Sequence, residues 1–595
     1  MYRLIWSISK TRIALILVLS VADAINVFVT TFFFKFAIDG LTNQKPFSYF
    51  ITIVGIRIGY LLIYQCIDNF FHTVVFPIYD NKIKQNISLN LYRKVSNIDL
   101  YQCEQSEFYK KYARAINEAD NRAIEMLGTL RGFLSITLQA IVLLSVLAYI
   151  SPITIFIALV GTGVTFWGNI MNTKKVYKYE NDKREINRFI DYIKRIYYLP
   201  QYSKDIRTTI INDILSDAYT SRNTNLNEVI KKQGTIIALV AIIASWLFNF
   251  INIGLSSIYL GLKILKGFIG VGDFVSSINA ISNLSGNMLM MSNIIPQFRQ
   301  HALFIDDYLS IINYQSSLYD NVGKNFIKTN EPHSISIRNV SFSYPNKKGV
   351  LKNINIEIGK GQKIAFVGEN GAGKSTLLKL IMRLYDPECG ELYIDEIPYK
   401  EINVSNLYDS ISAIYQDYQC YAFSLRDNSH FPFTQLYGHN RDNITLINNK
   451  VNYNKIREAI IKSGLETLVN SLNNDLSISL STEFDSEGVN LSGGQCQKVA
   501  IARSLYHNAG IIIMDEPTAA LDPLAEKDLF DIIDGLAANK TLIVVSHRLS
   551  LVKNMDKIYH IKNGQVVEKG THNELMALGG EYSHMFKVQA ERYGL

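Results

Sequence analysis

Apolar residues run almost unbroken through six stretches of the chain, roughly 13–37, 50–77, 128–150, 152–172, 234–262 and 271–297. About 20 helical residues cross a ~30 Å hydrocarbon core, so the pattern predicts six membrane-spanning helices within residues 1–305. Ser151-Pro152 marks a tight turn between the third and fourth, because proline cannot continue the preceding helix. The first stretch is too long for a removable signal peptide, and it lacks a small-residue cleavage site. A polar linker over 306–333 follows, and the periodicity then changes to short β-branched runs separated by glycine. Residues 334–595 therefore read as an α/β domain.

Loop charge predicts the orientation. The 79–126 connection holds eight Lys/Arg and the 174–232 connection thirteen, whereas the opposite side offers only Lys45, Lys263 and Lys266. Positive charge is retained on the cytoplasmic side, which places both long loops and both termini there. Each long loop has the length of a helical hairpin reaching roughly 35 Å beyond the membrane. The tips are expected near Cys103–Tyr109 and near Pro200–Arg207. Within the spans, Asp23, Asn26, Arg57, Gln65, Asp68, Asn69 and His72 read either as a polar translocation cavity or as interhelical pairing. Asn283, Asn287, Met288, Met290, Met291 and Asn293 read either as an adaptable substrate surface or as packing.

Composition narrows the classes. The 595 residues are 48% hydrophobic and 19% charged with a net charge of +7, which excludes a disordered chain and a nucleic-acid-wrapping tail. Five cysteines (Cys66, Cys103, Cys389, Cys420 and Cys496) have neither metal-ligand nor CxxC spacing, and no redox role follows from them.

The chemistry lies in the second half. The apolar run Ile364–Val367 enters Gly368-Glu369-Asn370-Gly371-Ala372-Gly373-Lys374-Ser375-Thr376, and a helical run follows. This is a phosphate-binding loop in its strand–loop–helix context. Its glycines let backbone N–H groups close around phosphate oxygens at a helix N-terminus. Lys374 is expected on the β- and γ-phosphates, and the Ser375 hydroxyl on Mg²⁺. A second apolar run, Ile511–Met514, ends in Asp515-Glu516. Asp515 suits the Mg²⁺ shell and Glu516 a general base acting on water.

Between these two sites stands Leu491-Ser492-Gly493-Gly494-Gln495. With this flanking, and six spans ahead of it, the chain resembles a half-transporter of the ATP-binding-cassette exporter type over nearly its whole length. The resemblance implies a P-loop ATPase cassette with a mixed sheet and a helical subdomain, ATP and Mg²⁺ as ligands, and a second cassette. Ser492, Gly493, Gly494 and Gln495 of one cassette would close on the phosphates held by the other. It implies Tyr344 as the aromatic on adenine, Gln416 as the residue at Mg²⁺ and the attacking water, and Asp522 in a loop communicating across the dimer. His547 would contact the γ-phosphate, and Thr482–Gly488 would form the cross-talk loop. Every catalytic position is intact, so a homodimer is the simpler expectation, with a heterodimer open.

One departure stands out. Leu425-Arg426-Asp427-Asn428 is followed by a second Arg441-Asp442-Asn443-Ile444, which makes 429–443 an insertion. A tolerated surface loop is the favoured reading. The function implied is ATP-driven export across a bacterial cytoplasmic membrane, with a peptide as the favoured substrate. Lipid or amphipathic drug export, an importer on the same fold and a sensor ATPase stand as alternatives.

Overall fold

The computed structural model describes residues 6, 9–199, 202–319, 323–345, 347–430, 452–517, 531–535 and 537–592. Asp522, residues 431–443 of the insertion and Pro200 lie outside the described residues. The chain forms two units, Met1–Ser96 with Glu107–Tyr314, and Asn97–Ser106 with Gln315–Leu595.

The first unit is helical: α1 (Lys10–Thr42), α2 (Phe47–Val95). Its sequence neighbour α3 (Leu100–Glu104) belongs to the second unit. The first unit continues with α4 (Ser106–Ile150, from Glu107), α5 (Pro152–Tyr198), α6 (Ser203–Thr208), α7 (Ile211–Val229), α8 (Thr235–Phe248), α9 (Ser256–Leu265) and α10 (Val271–Ile312). Pro152 begins α5 directly after Ser151, so the helix break falls where proline was expected to put it. Among the described residues, three helices are long and apolar enough to cross a membrane: Lys10–Thr42, Phe47–Val95 and Asn121–Ile150. Two shorter segments, Pro152–Gly161 and Phe250–Leu265, are also apolar. No residue of Phe47–Phe70 is buried, and Ile51, Ile56, Leu62 and Ile63 point away from protein. So much unpartnered apolar surface on a fully hydrogen-bonded helix suits a lipid environment.

Polar side chains inside these helices find one another. Asp23 of α1 accepts from Ser135 (2.6 Å) and Tyr64 (2.7 Å), and Arg131 of α4 bridges it to Asp68 of α2 (2.9 Å). Arg57 donates to Thr30 (2.6 Å), and Asn287 to Gln139 (3.2 Å). Interhelical pairing thus engages Asp23, Arg57, Asp68 and Asn287, whereas Asn26 Oδ1 is buried without a partner, and Met288 packs against the buried Ala140–Leu284 cluster.

In the second unit, β1 (Ile335–Tyr344), β2 (Lys347–Ile358), β4 (Cys389–Ile394) and β5 (Ile397–Pro398) form an antiparallel sheet in the order β2-β1-β4-β5. The larger sheet has the order β10-β9-β3-β8-β7-β6. It comprises β3 (Lys363–Val367), β6 (Ile411–Ile414), β7 (Ile511–Asp515), β8 (Thr541–Val545), β9 (Lys557–Lys562) and β10 (Gln565–Gly570). All its pairings are parallel except β9–β10. Strand alternation supplies two cores. Ile364, Phe366, Ile513 and Val545 face the smaller sheet's Ile337 and Val340, whereas Ala365, Val367, Met514 and Val544 pack with Ala500 and Ile501. Both faces are covered, which is why these strands read as unbroken apolar runs. A helical subdomain of α13 (Leu425–His430), α14 (Tyr453–Lys462), α15 (Glu466–Ser471) and α16 (Gly493–His507) has its own core around Leu425, Ile460 and Val499. Helices α11 (Lys374–Ile381) and α12 (Val404–Ser410) lie between β3 and β6.

Segment 97–106 joins this unit through Asp99. Its carboxylate, 6% exposed, accepts from the Ser317 N–H and hydroxyl (2.9 Å each), the Leu318 N–H (3.4 Å) and the Ser316 hydroxyl. Glu104 accepts from Tyr385 (2.5 Å) and pairs with Lys379 (3.3 Å).

Candidate functional site

Strand β3 ends at Val367, and the chain turns through Gly368, Gly371 and Gly373, at φ 146°, 81° and 106°. A Cβ on Gly368 would sit 2.1 Å from the Ile561 carbonyl oxygen, and one on Gly373 2.7 Å from Leu351. Only glycine fits at these two places. The turn delivers Lys374 to the start of α11, where it is 5% exposed and donates to the Gly368 and Glu369 carbonyls at 2.8 Å. Burial lowers the Lys374 ammonium pKa, while the nearby Glu516 and Asp515 carboxylates raise it. Among the described residues the Lys374 hydrogen bonds go to neutral carbonyls, which leaves charge to share with a phosphate.

Parallel pairing of β7 with β8 brings Asp515 and Glu516 to the same sheet end as the phosphate loop. Ser375 lies near the Asp515 carboxylate, whose Oδ1 is buried without a donor. Burial foremost, then the Glu516 charge, pushes its carboxyl pKa up, against the pull of Ser375 and Lys374. A hydroxyl beside a buried carboxylate with a spare oxygen is the hard-oxygen donor set that Mg²⁺ takes, with phosphate and water oxygens completing the shell. Ser375 and Asp515 thus fit the ion.

Glu516 adopts φ 50°, with its N–H bonded to the Val545 carbonyl (2.9 Å). This turn takes its side chain off the strand's alternation. Gln416 donates to Glu516 Oε2 (3.1 Å), and His547 Nε2 lies 2.8 Å from Oε1, within ion-pair distance but off the line of a good hydrogen bond. Residues 416, 516 and 547 are far apart in sequence, and the ends of β6, β7 and β8 assemble them. Tyr344 packs edge-on against Phe342 (5.0 Å) and Tyr385 (5.5 Å), and its hydroxyl reaches Thr376 (3.2 Å).

Ser492 caps α16. Its hydroxyl accepts from the Gln495 N–H (3.3 Å), and Gln495 Oε1 accepts from the Ser492 N–H (2.9 Å). Gly493 and Gly494 open the first turn. Among the described residues, no hydrogen bond ties Ser492–Gln495 to the phosphate loop of the same chain. The exposed Thr482–Gly488 loop carries Phe484 at 81% exposure. The bonds made by Asp99, Glu104 and Tyr385 were not singled out in the sequence, because polar residues in a loop have no periodic signature.

Residues 351–519 match the ABC transporter family profile. The subtilin transport ATP-binding protein SpaT of Bacillus subtilis is 27% identical over 98% of this chain and 92% of its own length. The ATP-dependent lipid A-core flippase of Pasteurella multocida is 33% identical over 43% of this chain and 41% of its own. A bacterial Atm1-family ABC exporter solved with ATP bound superposes with a TM-score of 0.76 at 20% identity, covering 97% of this chain and 99% of that one.

Proposed function

We propose that this chain, an ABC transporter ATPase fused to a helical membrane domain in the exporter fold, works as a half-transporter that pairs with a second copy to export peptides. The observation that carries the reading is the convergence of Gln416, Glu516 and His547 beside the Lys374 loop. ATP-driven export is its activity; the residue roles, the pairing, the six-span topology and the peptide are the finer proposal.

Each residue has a task. The 368–376 loop cradles the phosphates with its N–H groups, Lys374 neutralises charge on the γ-phosphate, and His547 contacts it. Ser375, Asp515 and Gln416 would hold Mg²⁺, which would supply positive charge to offset that of the phosphates. Glu516 accepts a proton as water attacks the γ-phosphorus and the bond to the ADP oxygen breaks. Tyr344 stacks on adenine, and Ser492, Gly493, Gly494 and Gln495 of the partner cassette complete the site, with Asp522 linking the two. The exposed, self-capped signature turn supports closure by a second cassette. ATP drives opening and closing only through its different affinity for the two states. The apolar stretches and loop charge support six spans with cytoplasmic termini, and the bacterial relatives support a bacterial inner membrane.

Peptide is favoured over lipid because the likeness to the subtilin transporter runs through the helical unit as well as the cassette, whereas the likeness to the flippase covers 43% of the chain.

MgATP hydrolysis by the chain alone in lipid nanodiscs tests the reading. Glu516→Gln is expected to bind ATP but turn over about 10²–10³-fold more slowly, and Lys374→Ala to lose nucleotide binding. Wild-type turnover by Glu516→Gln would remove the base assignment. ATP-dependent peptide uptake into inverted vesicles gives the direction of transport.

A further inference from the structure

In the first unit, α4 and α10 line an open pocket of about 410 Å³ at the ends of the third and sixth apolar stretches that carry Gly128 and Gln297. Its wall carries Arg122, Glu125, Gly128 and Thr129 from one helix, and Gln297 and His301 from the other. A Cβ on Gly128 would meet nothing within 4 Å, so this glycine leaves the space open.

His301 is 3% exposed, and its Nδ1 has no hydrogen-bond partner. Its Nε2 lies 2.9 Å from the Thr129 hydroxyl. That hydroxyl also contacts the Glu125 carbonyl (2.8 Å) and Gln297 Oε1 (3.1 Å), both of which only accept. The arrangement that satisfies all three has Thr129 donating to the oxygens and His301 Nε2–H donating to Thr129. Nδ1 then presents a lone pair, buried and without a donor. Burial and Arg122 both lower the imidazole's proton affinity, against the pull of Glu125 and Glu118, so the ring is neutral near pH 7.

The charges point the same way. Two carboxylates bracket one guanidinium: Arg122 gives two bonds to Glu118 Oε2 (2.9 and 2.7 Å) and one to Glu125 Oε2 (2.9 Å). With a neutral His301, this cluster has an excess of one negative charge and a spare Glu125 oxygen that is solvent-accessible. A ligand that donates N–H bonds and carries positive charge would complete the site.

We propose that this pocket binds an ammonium group of the transported substrate, with Glu125 as counter-ion and Gln297 as acceptor, the buried His301 Nδ1 lone pair adding negative potential behind them. The proposal rests on the transport reading and names the substrate's chemistry: a primary amine, as in a lysine side chain, a peptide amino terminus or an ethanolamine headgroup.

The test uses the full chain in phosphatidylcholine nanodiscs. N-acetyl-Ala-Lys-Ala-amide is compared with its norleucine counterpart, with Ala-Ala-Ala-amide, and with discs containing phosphatidylethanolamine. The readouts are calorimetric binding and the ratio of stimulated to basal MgATP hydrolysis. The lysine peptide is expected to bind at least about ten-fold more tightly than the norleucine peptide, the scale of one charge-assisted bond. Glu125→Gln is expected to erase that difference, and Gly128→Leu, which fills the space on a good helix former, to abolish binding. Stronger stimulation by the free-amino-terminus peptide or by ethanolamine lipid would identify the source of the amine and support the site. Equal binding of lysine and norleucine peptides would overturn it. So would an unchanged lysine response in both variants, or a flat isotherm for every probe. ATP-dependent peptide uptake into inverted vesicles that Glu516→Gln loses keeps the transport reading standing even if the pocket fails.

Discussion

Asp515 illustrates the cost of a working residue. Its Oδ1 is buried without a donor, and burial together with the Glu516 charge pushes its carboxyl up. A folded-state carboxyl raised above its ordinary value subtracts from stability at neutral pH, because folding disfavours the charged form present there. Asp515→Asn is therefore expected to raise the unfolding temperature of the nucleotide-free protein, read by differential scanning calorimetry. It is also expected to lower MgATP hydrolysis at least about 100-fold, on the scale of other displaced catalytic groups. A variant that is both less stable and fully active would contradict both roles. Glu516, at φ 50°, carries strain of the same kind. Such strain persists where the surroundings, here the Val545 carbonyl, Gln416 and His547, hold the residue in place.

At the scale of elements, Ser492 has two separable tasks. As the cap of α16 it satisfies the Gln495 N–H, and losing a serine cap costs about 1 kcal/mol. As an exposed residue of the signature turn it would face the partner's nucleotide. Ser492→Ala is expected to destabilise α16 by about that amount, measured by hydrogen exchange of its amides. Ser492→Asp is expected to keep the cap, because aspartate caps as well as serine, while lowering turnover through a carboxylate set against phosphate. Equal turnover in wild type and Ser492→Asp would exclude closure of the site by this turn. The phosphate loop, by contrast, was legible in the sequence down to each residue, because a strand, three special glycines and a helix start are contiguous. The Gln416–Glu516–His547 group was legible only through family resemblance, since its members come from three strands and no local spacing relates them.

For the molecule as a whole, the allegiance of residues 97–106 is the feature that reorganises the chain. A segment lying in sequence between α2 and α4 belongs to the second unit, held there by Asp99 and Glu104. Asp99→Ala removes the acceptor of four bonds and is expected to cost about 1–3 kcal/mol of local stability. The loss would appear as faster amide exchange at 97–106 and 316–318, with α14 and α16 unchanged. Uniform exchange changes across the second unit would instead make Asp99 a global stability residue. By itself the sequence determined the division into an apolar helical half and an α/β half, the break at Pro152, the phosphate loop and the Asp515-Glu516 strand end. Each of these is written in contiguous residues whose burial or backbone freedom sets a local pattern. Tertiary structure alone decided which polar groups within the helices pair, that Asp23, Asp68 and Arg131 form one cluster, and that Thr129 meets His301 across 172 residues. These outcomes depend on which faces of distant helices come together. Side-chain periodicity specifies that a face is polar, and only packing specifies what it meets.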